Sequence, residues 1–363
     1  KKFIGDRIMA YTTIDDPSAY FQNVLWTGDG SAGNAVTFDG NSDMQPDFVW
    51  SKRRDVGYGH VLKDTSRGGT SNNDVHLVSN TTAGDSTYTA YRMDFNSDGF
   101  TLDGSGDSGF QANGTSMVSW SWKANGGTTS TNTDGSTNTT VQANTDAGFS
   151  IVTFTTDGGN ETYGHGLGVK PDVVLVKSRS GAGTWIFTTD VIDGSVDYLI
   201  LNATNAAADL SYGAFTSSTF QYNDNNAVTQ VAYCFAEKQG YSKFGKYVGN
   251  GNVNGPFVYT GFQPAWILLK RTDSTSGGNW HIIDNKRSAS GGANVNVYTL
   301  FPNLDAAEST GEAASTYGVD FLSNGFKIRA SHSTRNASGG SYIYMAFAEN
   351  PFTTSTGIPT TAR

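Results

Sequence analysis

One word written three times constrains this chain more than anything else in it. A proline, a short apolar run and a lysine occur as Pro46 to Lys52 (PDFVWSK), Pro171 to Lys177 (PDVVLVK) and Pro264 to Lys270 (PAWILLK). Each copy follows an aromatic residue, Trp26, Phe154 or Tyr247, that closes a strand-like stretch before a Gly-bearing turn. A second word ends each unit: Val118 to Trp122 (VSWSW), Val231 to Phe235 (VAYCF) and Ile343 to Phe347 (IYMAF). Its bulky pairs, Trp120/Trp122, Tyr233/Phe235 and Met345/Phe347, stand at alternate positions and therefore share one face of a strand. The expectation is that this face fills the space between two sheets, while the smaller Ser119, Ser121, Ala232, Cys234 and Ala346 meet a close neighbour, Tyr344 being the exception.

Between the two words lie His60, Trp185 or Trp280, then a third apolar stretch (75–78, 198–201 and 297–300), then a polar turn before Phe100, Phe220 or Phe326. Six to eight short strands in about 100 residues is the size of a β-sandwich. The fold class expected is all-β, built from tandem sandwich repeats of jelly-roll or lectin-like type. The units are placed at 21–124, 149–237 and 238–352, after an N-terminal arm at 1–20 and before a tail at 353–363. Residues 125–148, of which 18 of 24 are Gly, Ser, Thr or Asn, read as a linker, with 139–143 able to form an edge strand. The second and third units adjoin directly through 237–240, which implies close contact between them. Helix is expected to be scarce: 306–315 is interrupted by Gly311 and lacks helical periodicity. Met9 reads as a natural start, with 1–8 expected to be either an upstream extension or residues added to the natural chain.

Charge and cysteine usage remove several function classes. The net charge is -9 and the 24 Lys and Arg are scattered, which argues against nucleic acid as a partner, because phosphate binding needs clustered cations. The single cysteine, Cys234, rules out an intrachain disulfide framework, so stability is expected from packing or from association with other chains. With 7 Trp, 17 Tyr and 21 Phe the bulk for that packing is present. There is no apolar run of membrane-spanning length and no apolar stretch of secretory type, so no membrane partner is expected.

No catalytic constellation stands out, and the chain is read as a non-enzyme. Hydrolysis of sugars needs two carboxylates across a glycosidic bond, yet the five glutamates (161, 237, 308, 312, 349) include only one recurring pair, Glu237 and Glu349, better read as structural acceptors. Asp47 and Asp172 recur after proline and read as turn formers. Histidines 60, 76, 165, 281 and 332 lack ligand spacing. The 103–107 stretch imitates the start of a calcium loop but has Ser108 and Gly114 where Gly and Glu are wanted, so no metal site or cofactor is assigned. Gly28 to Gly30 and Gly249 to Gly251 precede no helix and read as turns; Cys234 reads as a packing residue. The candidate ligand-binding residues are the recurring lysines Lys52, Lys177 and Lys270, for an acidic group, and Trp185 and Trp280, as a platform for sugar rings. Against each stands a structural reading: lysine stems laid along the core edge, and indoles packed inside.

The strings AYTTIDDPSAYFQ after Met9, GVKPDVVLVKSRS at 168–180, YCFAEKQGYSKFGKYVGNG at 233–251, PFVYTGFQPAWILLKRTDS at 256–274 and SYIYMAFAENPF at 341–352 together resemble a repeat-domain family of tailed, mainly marine, bacteriophages. The resemblance covers nearly the whole chain. Its members are described as structural or tail-fibre-like, and some are compared with concanavalin-like lectin sandwiches. It implies a protein on the exterior of the virion, of tail-fibre or appendage type, partnered by other virion proteins and binding a host surface glycan or protein. The alternatives are an architectural capsid or tail decoration without a receptor, and a polysaccharide depolymerase. A homo-oligomer is expected, a trimer by analogy with fibre proteins. With repeats beginning almost at Met9, a separate N-terminal anchoring domain, a coiled coil or a collagen-like shaft is not expected, and a short fibre, a distal appendage or a decoration or knob protein is.

Overall fold

Short runs of β-branched and aromatic residues broken by Gly, Asn and Asp turns make strands the dominant element. The computed structural model describes residues 10–104, 109–211, 213–224, 226–287, 294–310 and 313–360. Three large antiparallel sheets repeat one strand order. In the first, Phe21–Thr27 lies beside the closing strand Ser116–Trp122, followed by Phe48–Arg53, Val61–Asp64, Val75–Val78 and Ser86–Thr87. The second runs Phe149–Thr155, Thr229–Phe235, Val173–Ser178, Ile186–Thr189, Asp197–Ile200 and Ala208–Asp209. The third runs Ser242–Val248, Ser341–Pro351, Phe262–Arg271 and Trp280–Asp284, with Ile282 bridged to Leu300 where the next strand would pair. The two recurring words are therefore hydrogen-bonded neighbours, with Trp50 opposite Trp120, Leu175 opposite Tyr233 and Leu268 opposite Met345.

A small sheet covers one face of each large sheet, giving an all-β sandwich architecture. Over the first lie Asn34–Val36, Phe100–Leu102 and Met93–Phe95; over the third lie Phe257–Tyr259, Gly325–Ile328 and Val319–Leu322. Over the second there are two strands, Asn160–Gly164 and Thr219–Asn223. The hairpin before Phe100 depends on Gly99, whose φ is +87° and where a Cβ would stand 2.0 Å from the Val36 carbonyl oxygen.

The two faces of the large sheets have the opposite roles to those expected. The smaller alternate residues, including Val49 and Met117, Ala232 and Cys234, or Ala346 and Ala348, pack inside the sandwiches against the small sheets. The bulky residues face away from them, into one core that all three large sheets share. Trp122, Phe235 and Phe347 are 1%, 4% and 1% exposed there, with Trp122 5.5 Å from Phe347 and 6.3 Å from Phe235. Phe48 stacks on Tyr233 at 4.2 Å across the first and second sheets, and Trp122 meets Trp266 edge-on at 5.6 Å across the first and third. A void of about 10 Å³ is left among Phe48, Trp122, Phe235, Trp266 and Met345, about the room of one water molecule. Each such side chain contributes about 1.5–3 kcal/mol by burial, and no sheet can bury its bulky face alone.

The 125–148 stretch is not a free linker. Ser130–Asn132 and Thr139–Asn144 add two strands to the edge of the second sheet, beside Phe149–Thr155. Its ordering partners are in the same chain: the Asp47 carboxylate accepts the N–H groups of Ala124, Gly126 and Gly127 at 2.7, 2.9 and 2.8 Å. Helices are short, at Thr65–Gly68, Ala314–Tyr317 and Ser333–Asn336 among the described residues.

Corresponding residues build the three seams between sheets. The backbone N–H of Asp85 donates to the Arg179 carbonyl (2.7 Å), that of Glu308 to Arg54 (2.8 Å) and that of Ala207 to Thr272 (2.8 Å). At the first of these Asp85 bridges Arg67 and Arg179, at 2.7 and 2.8 Å; at the second Glu308 bridges Arg287 and Arg54, both at 2.7 Å. Arg67 is held by Asp64 at 2.5 Å and Arg287 by Asp284 at 2.6 Å, with all four side chains fully buried. The Tyr233 hydroxyl completes Asp64 and the Trp120 indole completes Asp284. At the seam between second and third sheets the corresponding residues are Thr189, Ile192, Ala207, Thr272 and Met345, all uncharged.

Candidate functional site

The five residues singled out from the sequence lie in these seams. Trp185 and Trp280 are buried, and their indole N–H groups donate to the Val78 and Ile200 carbonyls, each at 3.0 Å and each on the preceding sheet. His60 holds the corresponding position, accepts the Trp50 indole N–H at 3.0 Å and lies by the Phe301 carbonyl of the third sheet. No ring face is left for a sugar. Lys177 donates to the Thr82 carbonyl at 3.0 Å, Lys270 to Gly278 at 2.7 Å and Thr204 at 3.4 Å, and Lys52 to Arg53 at 2.5 Å with Asp305 near. All three are buried, and loss of hydration pulls each ammonium down to about 8. The ligand-binding assignment is thus corrected: backbone carbonyls occupy these side chains, from a neighbouring unit for Lys177, from the same unit for Lys52 and from both for Lys270.

Other recurring residues are structural too. Asp172 accepts the Glu237 N–H at 2.7 Å, as Asp47 does for its own exit turn; Glu237 pairs with Lys243 and Glu349 accepts from Asn285. Cys234 is inside the second sandwich, where burial pushes its thiol far up, away from a nucleophile. The calcium-like 103–107 stretch lies partly outside the described residues.

The structure instead places a groove of about 560 Å³ on the outer face of the second sheet. Among the described residues the small sheet above it has two strands where those of the other units have three. In the first unit Tyr91 packs edge-on against His76 at 4.8 Å, beside the strand Met93–Phe95. In the third, Tyr317 and Arg335 cover His281 and Thr299. In the second, the corresponding Ile186 and Tyr198 line an open floor together with Thr188. Tyr222, Asn223 and Asp224 form one lip, extended by Asn226; Asp209, Leu210 and Ser211 form the other.

Two phenol rings therefore stand among carboxylates, amides and hydroxyls in one concavity. Asp224 is oriented by Gln230 at 3.1 Å and by the Asn226 N–H at 3.2 Å. The Thr188 hydroxyl donates to the Val174 carbonyl at 3.0 Å. Beyond the Asp209 lip sit Asp193 and Asp197; burial, then the neighbouring Asp193 and Asp209 carboxylates, push Asp197 up to about 6. Such a site offers hydrogen-bond acceptors in pairs and flat apolar faces, with little cationic character.

Sequence reasoning missed the groove because it searched for recurring residues, and the groove exists where recurrence fails. One signal was present: the stretch from Ile200 to Thr229 is shorter, by roughly one strand, than those from Val78 to Ser116 and from Leu300 to Ser341. A domain of unknown function (DUF7483) matches residues 16–351. No curated protein and no solved structure matches the chain.

Proposed function

The chain belongs to the DUF7483 family, and we propose that it is a non-catalytic binding module that takes a host-surface saccharide into the groove of its second sheet. The observation that carries this reading is the pairing of Tyr198 and Tyr222 with Asp209, Asp224 and Asn226 around one open concavity. Saccharides present C–H faces that stack on aromatic rings and adjacent hydroxyls that donate to carboxylates and amides. A rigid two-layer frame under loop-borne polar groups is the ordinary construction of a recognition site. The proposed setting is the exterior of a tailed-phage particle, alongside other virion proteins. There, several copies in a homo-oligomer would convert weak single sites into firm attachment.

The test is retention on purified host envelope polysaccharide. Wild-type protein binds saturably and competes with infection, while Tyr198→Ala and Tyr222→Ala lose at least tenfold in affinity with unchanged fold. Absence of saturable binding refutes the reading, and release of new reducing ends from the polysaccharide replaces it with a depolymerase.

An architectural role is the second reading. The edge strand Phe257–Tyr259 exposes Phe257 and Tyr259 at 45% and 53%, close to Tyr11, an arrangement suited to contact with another protein. Particle-bound protein that never adsorbs to host cells would support it.

A further inference from the structure

At the outer end of the groove Asp193, Asp197 and Asp209 bring one carboxylate oxygen each to within 4.8 Å of one another. Asp197 and Asp209 are directly opposed across the Asp197–Ile200 and Ala208–Asp209 strands, and Asp193 enters from the turn before them. Asp193 and Asp209 are exposed, but Asp197 is only 3% exposed, and its Oδ2 has no hydrogen-bond partner. A buried carboxylate oxygen facing two like charges is costly unless a proton, as between Asp197 and Asp209, or a cation is shared among them, and above the raised Asp197 value of about 6 the proton is lost. The scaffold does not require these acids: at the matching pair of the first sheet Val75 stands opposite Thr87.

We propose that Asp193, Asp197 and Asp209 form a binding site for a divalent, oxygen-preferring cation of the calcium class. The donor set is all carboxylate, without histidine or cysteine, which selects a hard ion over zinc or copper. Oxygens within 4.8 Å of one another come within a few tenths of an ångström of sharing a central ion at the usual calcium–oxygen distance of about 2.3–2.6 Å, a gap that small side-chain rotations close. Ser195 donates twice to Asp193 Oδ1, through its N–H at 2.9 Å and its hydroxyl at 2.6 Å, which fixes the carboxylate. Lys246, whose ammonium donates to the Ile192 carbonyl at 2.7 Å, is the neighbouring positive charge and offsets part of the repulsion without entering the cluster. Asp209 also lines the groove, so a cation held here sits at the edge of the saccharide site.

The inference does not depend on the saccharide reading, and its test uses none. Chelator-treated full-length protein is titrated with calcium chloride at pH 7.5, by calorimetry and by thermal melting. One saturable site is expected, with a dissociation constant of about 10⁻⁴ to 10⁻³ M, typical of extracellular calcium modules, and a raised melting temperature. Asp197→Asn and Asp209→Asn each weaken binding at least tenfold; Asp197→Asn melts no lower than wild type without calcium, since it removes a buried like charge. Asp224→Asn, on the far lip, binds calcium normally. Failure of calcium, magnesium and manganese alike to bind, or an unchanged response in Asp197→Asn, overturns the site. Cation binding without polysaccharide retention would overturn only the saccharide reading.

Discussion

The Tyr233 hydroxyl of the second sheet donates a 2.7 Å hydrogen bond to the Asp64 carboxylate of the first. That bond completes a fully buried pair in which Asp64 also holds Arg67, and Arg67 reaches the partly exposed Asp85 and through it Arg179. At the second–third seam Met345 replaces the donor, and Thr189 and Ile192 replace the acid and the base. The charged residues are present together or absent together, as desolvation requires, since one member alone would be an uncompensated buried charge.

Stability should follow that rule. Tyr233→Phe is expected to cost about 1–3 kcal/mol, the penalty of leaving buried charged groups one bond short. Arg67→Ile alone is expected to cost about 3–5 kcal/mol, and combining it with Asp64→Thr to recover part of that loss. Urea denaturation of the single and double variants measures both.

Alkaline pH should stabilise the fold before it unfolds it. Burial holds Lys52, Lys177 and Lys270 at about 8, against the ordinary lysine value of 10.5. Between those values the unfolded chain binds more protons than the folded one, so stability rises with pH. Above the ordinary tyrosine value of 10.0 the trend opposes this, because buried Tyr233, Tyr241 and Tyr247 resist ionisation that the unfolded chain undergoes. A melting temperature that climbs from pH 8 to 10, with a reduced slope in Lys177→Met, is the expected record.

Acid should act through buried imidazoles. His60 and His281 are held well below 6.5 by burial, and His76 is lowered to about 4. Their folded forms stay neutral while the unfolded chain gains protons, so stability is lost as pH falls below 6.5. In His60 the Nδ1 must also remain an acceptor for the Trp50 indole, which protonation would remove. Denaturant midpoints at pH 7, 6 and 5 should fall in order.

Seam and groove residues should separate cleanly. Trp185→Phe and Trp280→Phe remove hydrogen bonds to Val78 and Ile200, and are expected to cost about 0.5–1.5 kcal/mol with saccharide retention intact. Tyr198→Ala, on the open groove floor, should change stability by less than either while abolishing retention. Parallel melting and polysaccharide pull-down assays check the contrast.

Local pattern alone settled that the chain is made of strands, that two words recur in each unit, and that Trp120, Tyr233 and Met345 occupy one position; that the two words lie side by side in a sheet came from the structure. Alternation is a property of the extended backbone and needs no distant partner to be read. Which face met which neighbour was decided only by tertiary structure. A bulky stripe fills a sandwich or a shared centre equally well, and the choice depends on two other sheets hundreds of atoms away in the chain. The same holds for Lys177 and Trp185, whose polar atoms find carbonyls at Thr82 and Val78 on a different unit. The groove opens over Tyr198 where, among the described residues, the small sheet has two strands and not three, and the acid cluster follows from a register that sets Asp197 against Asp209. Pairings of that kind are fixed by packing between segments far apart in sequence, where no local periodicity records them.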